Sequence, residues 1–464
     1  MVKRSIVLAV AVALSTTSPV GSRPSSKRLC FGRKATIVGS SKDDTIQGTR
    51  HRDIIVGLGG DDVIVAFDGD DLVCAGKGSD LVDGGYGADR ESGGPGQMDV
   101  VAFKIASTRV RADLGSGKSS GGAGRDRFNQ FEGILGSPYA DRLDGDERSN
   151  FLIGGGDVDS IHAGAENDLL WGMSSYDQLD GGAGGADVAS YYDALSTTEI
   201  SVSPESGYGA TPDRLTNIEG LEGPKRGYIY MYGDSRANGF FSGGGTIYVS
   251  GGGGDDYIEA SLKARQDHVD GGAGDDIVFA GGGDDNVNTG WAFGGDDDRA
   301  ADGNDILFGE AGSDDVFGGS GNDVMRGDAG DDYVEGGPGD DTVFEGEGSD
   351  NVFGSDGNDV VSYEKASKAV AIVLDEGTAT GNGSDAVDGS FETIVGSPFA
   401  DTMSGNDLAN VIFGLQGDDE ISGLDGDDTL DGGEGSDTAD GGFGLDECVN
   451  FELALFCRRS HLRR

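Results

Sequence analysis

Aspartate returns every nine residues through most of this chain, and no other feature limits its fold so strongly. Counting from Gly39, Asp44, Asp53, Asp62, Asp71, Asp80 and Asp89 share one register, and Ile46, Ile55, Ile64, Val73 and Val82 stand two residues after the first five. From Gly136 the same place is held by Asp141, Asn150, Asp159, Asp168 and Asp177, followed by Leu143, Leu152, Ile161, Leu170 and Leu179. Between Gly233 and Asn288 the register is patchier, but Asp256, Asp276 and Asp285 keep it. From Ala300 it is cleanest: Asp305, Asp314, Asp323, Asp332, Asp341, Asp350 and Asp359, with Leu307, Val316, Met325, Val334, Val343, Val352 and Val361 as apolar partners. A last run from Gly396 places Asp401, Asn410, Asp419, Asp428, Asp437 and Asp446.

Each unit has a glycine-rich half and a β-prone half. Glycine permits positive φ and close backbone approach, so the first half makes a tight turn with exposed carbonyls. The residues around the apolar position favour a short strand, and strand side chains alternate faces, so only the apolar residue need point inward. A turn–strand unit repeated along one axis makes a solenoid. Composition agrees only because it is periodic: 87 glycines in 464 residues would otherwise signal disorder. The glycines are not at every third position, which excludes collagen. A formal net charge of −50 argues against a nucleic-acid partner.

The best copies are Gly271-Gly272-Ala273-Gly274-Asp275-Asp276-Ile277-Val278-Phe279 and Gly336-Gly337-Pro338-Gly339-Asp340-Asp341-Thr342-Val343-Phe344. Both fit G-G-x-G-x-D-x-U-x, with U a large apolar residue. On these units the chain resembles the RTX, or hemolysin-type, calcium-binding repeat family over most of residues 39–449. The resemblance implies an all-β fold, a right-handed parallel β-roll with two units per coil, so that units n and n+2 stack on one edge. Asp305, Asp323, Asp341 and Asp359 then form one row, and Asp314, Asp332 and Asp350 the other. Like charges at the strand spacing of about 4.8 Å repel, and a hard divalent cation relieves this. Calcium takes six to eight oxygens from carboxylates and carbonyls, whereas magnesium wants a small octahedral shell. The sixth-position aspartates named above are therefore the expected calcium ligands, with loop carbonyls assisting. One site per stacked pair gives about 17 ions, enough to neutralise most of the excess charge. Folding is expected to depend on the metal, since each coil buries few large apolar groups.

Residues 93–135, 181–232 and 363–395 interrupt the count and resemble one another. They open with Asp99-Val100-Val101-Ala102-Phe103, Asp187-Val188-Ala189-Ser190-Tyr191 and Asp359-Val360-Val361-Ser362-Tyr363, and their alternating apolar residues suggest extra strands that continue or cap the solenoid. The chain thus divides into a leader (1–22), a cap and first roll (23–92), an insert (93–135), a second roll (136–180), an insert (181–232), a third roll (233–362), an insert (363–395), a fourth roll (396–449), and a terminal cap with a basic tail (450–464).

Lys3 and Arg4 precede an apolar stretch at 6–14 and then small polar residues, the layout of a secretory signal peptide. The stretch is too short to span a membrane, so an exported chain is expected. Four cysteines agree with export, and their placement near the two ends suggests Cys30–Cys74 and Cys448–Cys457. No His-Glu-x-x-His is present, and Gly117-Lys118-Ser119-Ser120-Gly121 matches G-x-S-x-G without the strand–turn–helix of a nucleophile elbow. The expected function is calcium binding with a structural or adhesive surface role and no catalysis; an extracellular enzyme with active groups in the inserts is the alternative. A cell-surface or matrix partner stays unspecified.

Overall fold

The computed structural model describes residues 28–96, 98–173, 176–192, 198–201, 213–263, 266–289, 303–381 and 383–461. The expected signal peptide and the last basic residues lie outside these, as does part of the middle insert.

The unit at 336–344 shows how the repeat folds. Its glycines carry the turn, and Thr342–Phe344 is a three-residue strand. Val343 points inward and is fully buried, while Thr342 and Phe344 are half-buried on the outer face. The strand pairs in parallel with Val324–Arg326 on one side and Val360–Ser362 on the other, placing Val343 between Met325 and Val361. The intervening units form a second face: Asp315–Phe317, Tyr333–Pro338 and Asn351–Asp356, with Val316, Val334 and Val352 in register. Two units therefore make one coil, as expected. The fold is all-β, a parallel β-solenoid, and helix among the described residues is limited to a 3-10 turn at Leu374–Glu376.

The chain forms two compact units, with the boundary between Glu222 and Gly223 inside the middle insert. In the first, one apolar column runs Ile46, Ile64, Val82, Val101, Ile134, Leu152, Leu170, Ala189, Leu221. The other runs Ile55, Val73, then Glu91, then Phe128. A buried glutamate thus occupies a core position. In the second unit, one column runs from Phe240 through Ile258, Val278, Leu307, Met325, Val343, Val361, Ile394, Ile412 and Leu430 to Cys448.

The inserts continue the stack. In the first, Arg127–Asn129 pairs in parallel with Arg90–Ser92, and Gly133–Leu135 with Val100–Ala102. An antiparallel hairpin, Val110–Asp113 with Lys118–Gly121, is added at the sheet. The third insert repeats the plan with the hairpin Ala371–Val373 and Thr378–Thr380, and Thr393–Val395 on Val360–Ser362. In the middle insert, Arg214–Thr216 stacks on Gln178–Ala183 and Gly220–Glu222 on Val188–Ser190.

Both expected disulfides are present. Cys30, in the hairpin Leu29–Cys30 with Arg33–Lys34, bonds to Cys74 in Leu72–Lys77. Cys448 bonds to Cys457, whose strand Cys457–His461 lies in parallel on Asp446–Val449.

Candidate metal centre

The sixth-position aspartates stand in the rows that the period predicts, and the hydrogen bonding within a row is uniform. The backbone N–H of Asp305 donates to Oδ1 of Asp323 at 2.8 Å, Asp323 to Asp341 at 2.8 Å, and Asp341 to Asp359 at 2.9 Å. On the other edge Asp314 donates to Asp332 and Asp332 to Asp350, both at 2.9 Å. The same 18-residue step links Asp62 to Asp80, Asp71 to Asp89, Asp159 to Asp177, Asp401 to Asp419 and Asp428 to Asp446. One carboxylate oxygen of each aspartate is thereby committed to holding the next coil.

The other oxygen decides what the rows can do. Oδ2 of Asp62, Asp71, Asp80, Asp89, Asp159, Asp177, Asp314, Asp332, Asp341, Asp359, Asp419, Asp428 and Asp446 is buried and accepts no hydrogen bond. Buried polar atoms without partners are scarce in folded proteins because each costs desolvation energy. Here they recur at one motif position, aimed at the glycine-rich turns. The turns leave room for them: a Cβ on Gly336 would lie 2.3 Å from Asp341 Oδ2. They are also stacked tightly, since a Cβ on Gly339, at φ +152°, would lie 1.5 Å from the carbonyl oxygen of Gly321 one coil earlier. A carboxylate oxygen beside close-packed carbonyls, with few cationic side chains nearby, is a donor set for a hard cation with many oxygen ligands. The residues fit calcium.

Four of the expected ligands differ. Asp44, Asp53, Asp141 and Asp401 follow turns whose second residue is Ser or Thr. Ser137 donates its N–H and its hydroxyl to Asp141, and Ser397 does the same for Asp401. Thr49 donates both groups to Asp53, and the Ser40 N–H donates to Asp44. These carboxylates are already satisfied by their own turns. Asn150, Asn238 and Asn410 accept the N–H of Asp146, Asp234 and Asn406 in the same manner.

The rows also contain residues that counting in nines missed. Asp80 donates to Asp99 and Asp99 to Glu132; Asp168 donates to Asp187 and Asp187 to Glu219; Asp359 donates to Glu392. A glutamate closes the step in each insert. On the opposite edge Asp89 donates to Asp126, Asp177 to Asp213 and Asp350 to Asp385. Asp267 joins the row before Asp285. A second, exposed ladder at the fifth position runs in the reverse direction: Asn304 donates to Asp275, Asn322 to Asn304, Asp340 to Asn322 and Asn358 to Asp340. The G-x-S-x-G segment is a strand of the first hairpin, where the Ser119 hydroxyl donates to Asp126.

The model of the RTX calcium-binding nonapeptide repeat, in four copies, matches residues 35–64, 47–82, 65–97, 135–170, 153–185, 264–293, 292–325, 318–350, 326–361, 387–421, 404–439 and 413–447, together more than half of the chain. The chain belongs to the RTX calcium-binding repeat family. No curated protein matches it. RTX membership and the rows of orphaned oxygens agree on calcium as the ligand of this β-roll.

Burial dominates the electrostatics of the RTX rows. It pushes Asp341 up to about 7, against the backbone N–H of Asp323, which lowers it, and with the charge of Asp359 raising it further. Asp159 and Asp285 are pushed to about 8 by burial and by the aspartates above and below, and Asp71 and Asp428 to about 6. A carboxylate raised in the folded state binds protons that the unfolded chain releases. Its contribution to metal-free stability is therefore complete below the unfolded value near 4 and is lost as pH rises through about 6 to 8. In chelator, the RTX roll should show β-signal by circular dichroism near pH 4.5 and lose most of it by about pH 7.5. With calcium present, the calcium midpoint should rise on acidification from pH 8 to 5.5, because protons compete for the same oxygens. A midpoint independent of pH would contradict this.

Proposed function

We propose that this protein is exported and folds only after it meets extracellular calcium, where its stiffened rolls serve as a structural or adhesive scaffold at a surface. The observation that carries this is the repeated buried Oδ2, present in the uncapped turns and absent from those capped by Ser or Thr. In this reading the ligands are the uncapped sixth-position aspartates with the turn carbonyls. The capped Asp44, Asp53, Asp141 and Asp401 hold the coil without metal. Bound calcium supplies the positive charge that the rows lack, and the aspartate Oδ1 atoms keep the coils in register.

Two further features support export: the basic and apolar leader at 1–22, and two disulfides in a chain with no free cysteine among the described residues. No helix among the described residues is long and apolar enough to cross a membrane. The chain acts by binding rather than catalysis in this reading, which is supported by Ser119 facing a carboxylate instead of a histidine. Expressed whole in a bacterial host, the protein should be recovered outside the cytoplasm with a new N-terminus near Ser18–Ser22 and no titratable thiols. Retention in the cytoplasm with Met1 in place and free thiols would overturn the export claim.

A further inference from the structure

The first and third inserts do more than lengthen the stack. Each brings an additional carboxylate to the row at the point where its hairpin interrupts the coil. In the third insert the ladder pair is Asp350 and Asp385, and the additional group is Glu345, which stands where the motif has its first glycine. One carboxylate oxygen from each of the three lies within 4.8 Å of the other two, and all three residues are buried. Tyr363 faces the same group and interacts electrostatically with Asp385, Glu345 and Asp350. It is 0% exposed, and its hydroxyl has no hydrogen-bond partner.

The first insert also sets an additional acid beside its ladder pair, but there the Ser119 hydroxyl already donates to Asp126. Its ladder pair is Asp89 and Asp126. Here the first motif position is Gly84, and the additional carboxylate comes from Glu91, the residue that displaces an apolar side chain from the core column. A Cβ on Gly84 would meet Glu91 Oε1 at 2.6 Å and Asp89 Oδ2 at 2.7 Å, so the Glu91 carboxylate fills the space into which Glu345 projects in the third insert. Glu91 is 1% exposed, and its Oε2 has no partner. The place of Tyr363 is taken by Phe103, whose N–H, like that of Tyr363, donates to a carbonyl of the returning strand.

We propose that Glu345, Asp350 and Asp385, with the Tyr363 hydroxyl beside them, form a buried cation site different in kind from the ladder sites. A ladder site offers aspartates and turn carbonyls. This one offers three carboxylates in a closed space, a set with higher charge and a preference for calcium or its trivalent analogues. Glu345 places an acid where the motif calls for glycine, and the buried Tyr363 hydroxyl, without a hydrogen-bond partner, stands beside the same group. The inference takes from the preceding section only the identity of the ion.

The test is calcium stoichiometry on the mature full-length chain by equilibrium dialysis at limiting free calcium, followed by terbium luminescence excited through tyrosine. Glu345→Gln should remove one tightly held ion, and Asp375→Asn, an exposed acid on the third hairpin, none. Tyr363→Phe should lower the sensitised terbium emission. A wild-type count in Glu345→Gln would overturn the proposal, as would a loss matched by Asp375→Asn; the carboxyls would then share protons instead of a cation. If Glu345→Gln fails to fold in saturating calcium, Glu345→Gly restores the motif glycine and must show the same loss of one ion. Failure of the ladder reading is distinguishable, because the wild-type count would then fall to one ion, which Glu345→Gln would still remove.

Discussion

Stripped of calcium at neutral pH, the chain should lose most of its β-signal, and calcium near millimolar concentration should restore it in a cooperative step that magnesium does not reproduce. The reason lies in the coil. Eighteen residues bring only about two large apolar side chains inward, as Met325 and Val334 do, while every ordered residue loses backbone entropy of about 1–2 kcal/mol. Burial adds a further cost, because the orphaned Oδ2 atoms are forced out of water beside like charges. A ligand that binds only the folded rows converts its binding energy into folding energy. Because each coil touches only its neighbours, ordering propagates along a unit and the transition is cooperative within it. Circular dichroism against free calcium, with magnesium as the control, measures this directly. A fully folded chain in chelator at pH 7.5 would show that the rows tolerate their charge unaided.

The largest effect from a single substitution should come from Gly339→Val. Gly339 sits at φ +152°, and any Cβ there would run into the carbonyl of Gly321. Conformational strain alone costs about 1–3 kcal/mol, and the collision must also spread the two coils whose carbonyls frame the site between Asp323 and Asp341. A loss of about 3 kcal/mol lowers the melting temperature of a unit this size by about 6–12 °C. The calcium midpoint should rise in step. The change should be confined to the transition of the second unit, since coupling in a solenoid is between neighbouring coils. Pro338→Ala, one residue earlier and exposed, should shift either quantity little. An unchanged melting temperature for Gly339→Val would mean that the turns are not packed as described.

The apolar columns and the long rows were legible because both repeat in strict register. Val343 and Asp341 can be placed from the sequence alone, and the structure puts Val343 at the core and Asp341 in its row. The extra strands of the inserts were legible too, but their places in the rows were not, for a physical reason. A hairpin that leaves the sheet and returns preserves stacking in space while shifting the count, so Asp89 meets Asp126 across 37 residues instead of 18. The unit Gly121-Gly122-Ala123-Gly124-Arg125-Asp126-Arg127-Phe128-Asn129 matches the motif in full, and searching for the motif without its register would have found it. Glu132, Glu219 and Glu392 were hidden differently, since a longer side chain reaches the same N–H from another residue type. The capped turns carried a partial signal: Ser or Thr at the second position brings a hydroxyl that Gly lacks, and it donates to Asp53, Asp141 and Asp401, whereas Ser355 at the same position leaves Asp359 Oδ2 without a partner. Glu91 and Glu345 break the pattern outright, and a repeat-based reading passes over what does not repeat.

The two disulfides acquire a meaning from where they sit. A stack held by nearest neighbours frays from its outermost layers, where each coil has support on one side only. In the second unit Asp446 accepts an N–H from Asp428, and Cys448–Cys457 ties the strand that follows to the same layer. In the first unit Cys30–Cys74 pins the opening hairpin over the first strands. Each unit thus carries one covalent tie at an outer layer, like the tip on a lace. Chelation leaves those ties intact, so loss of order has to begin in layers that ions rather than bonds hold together.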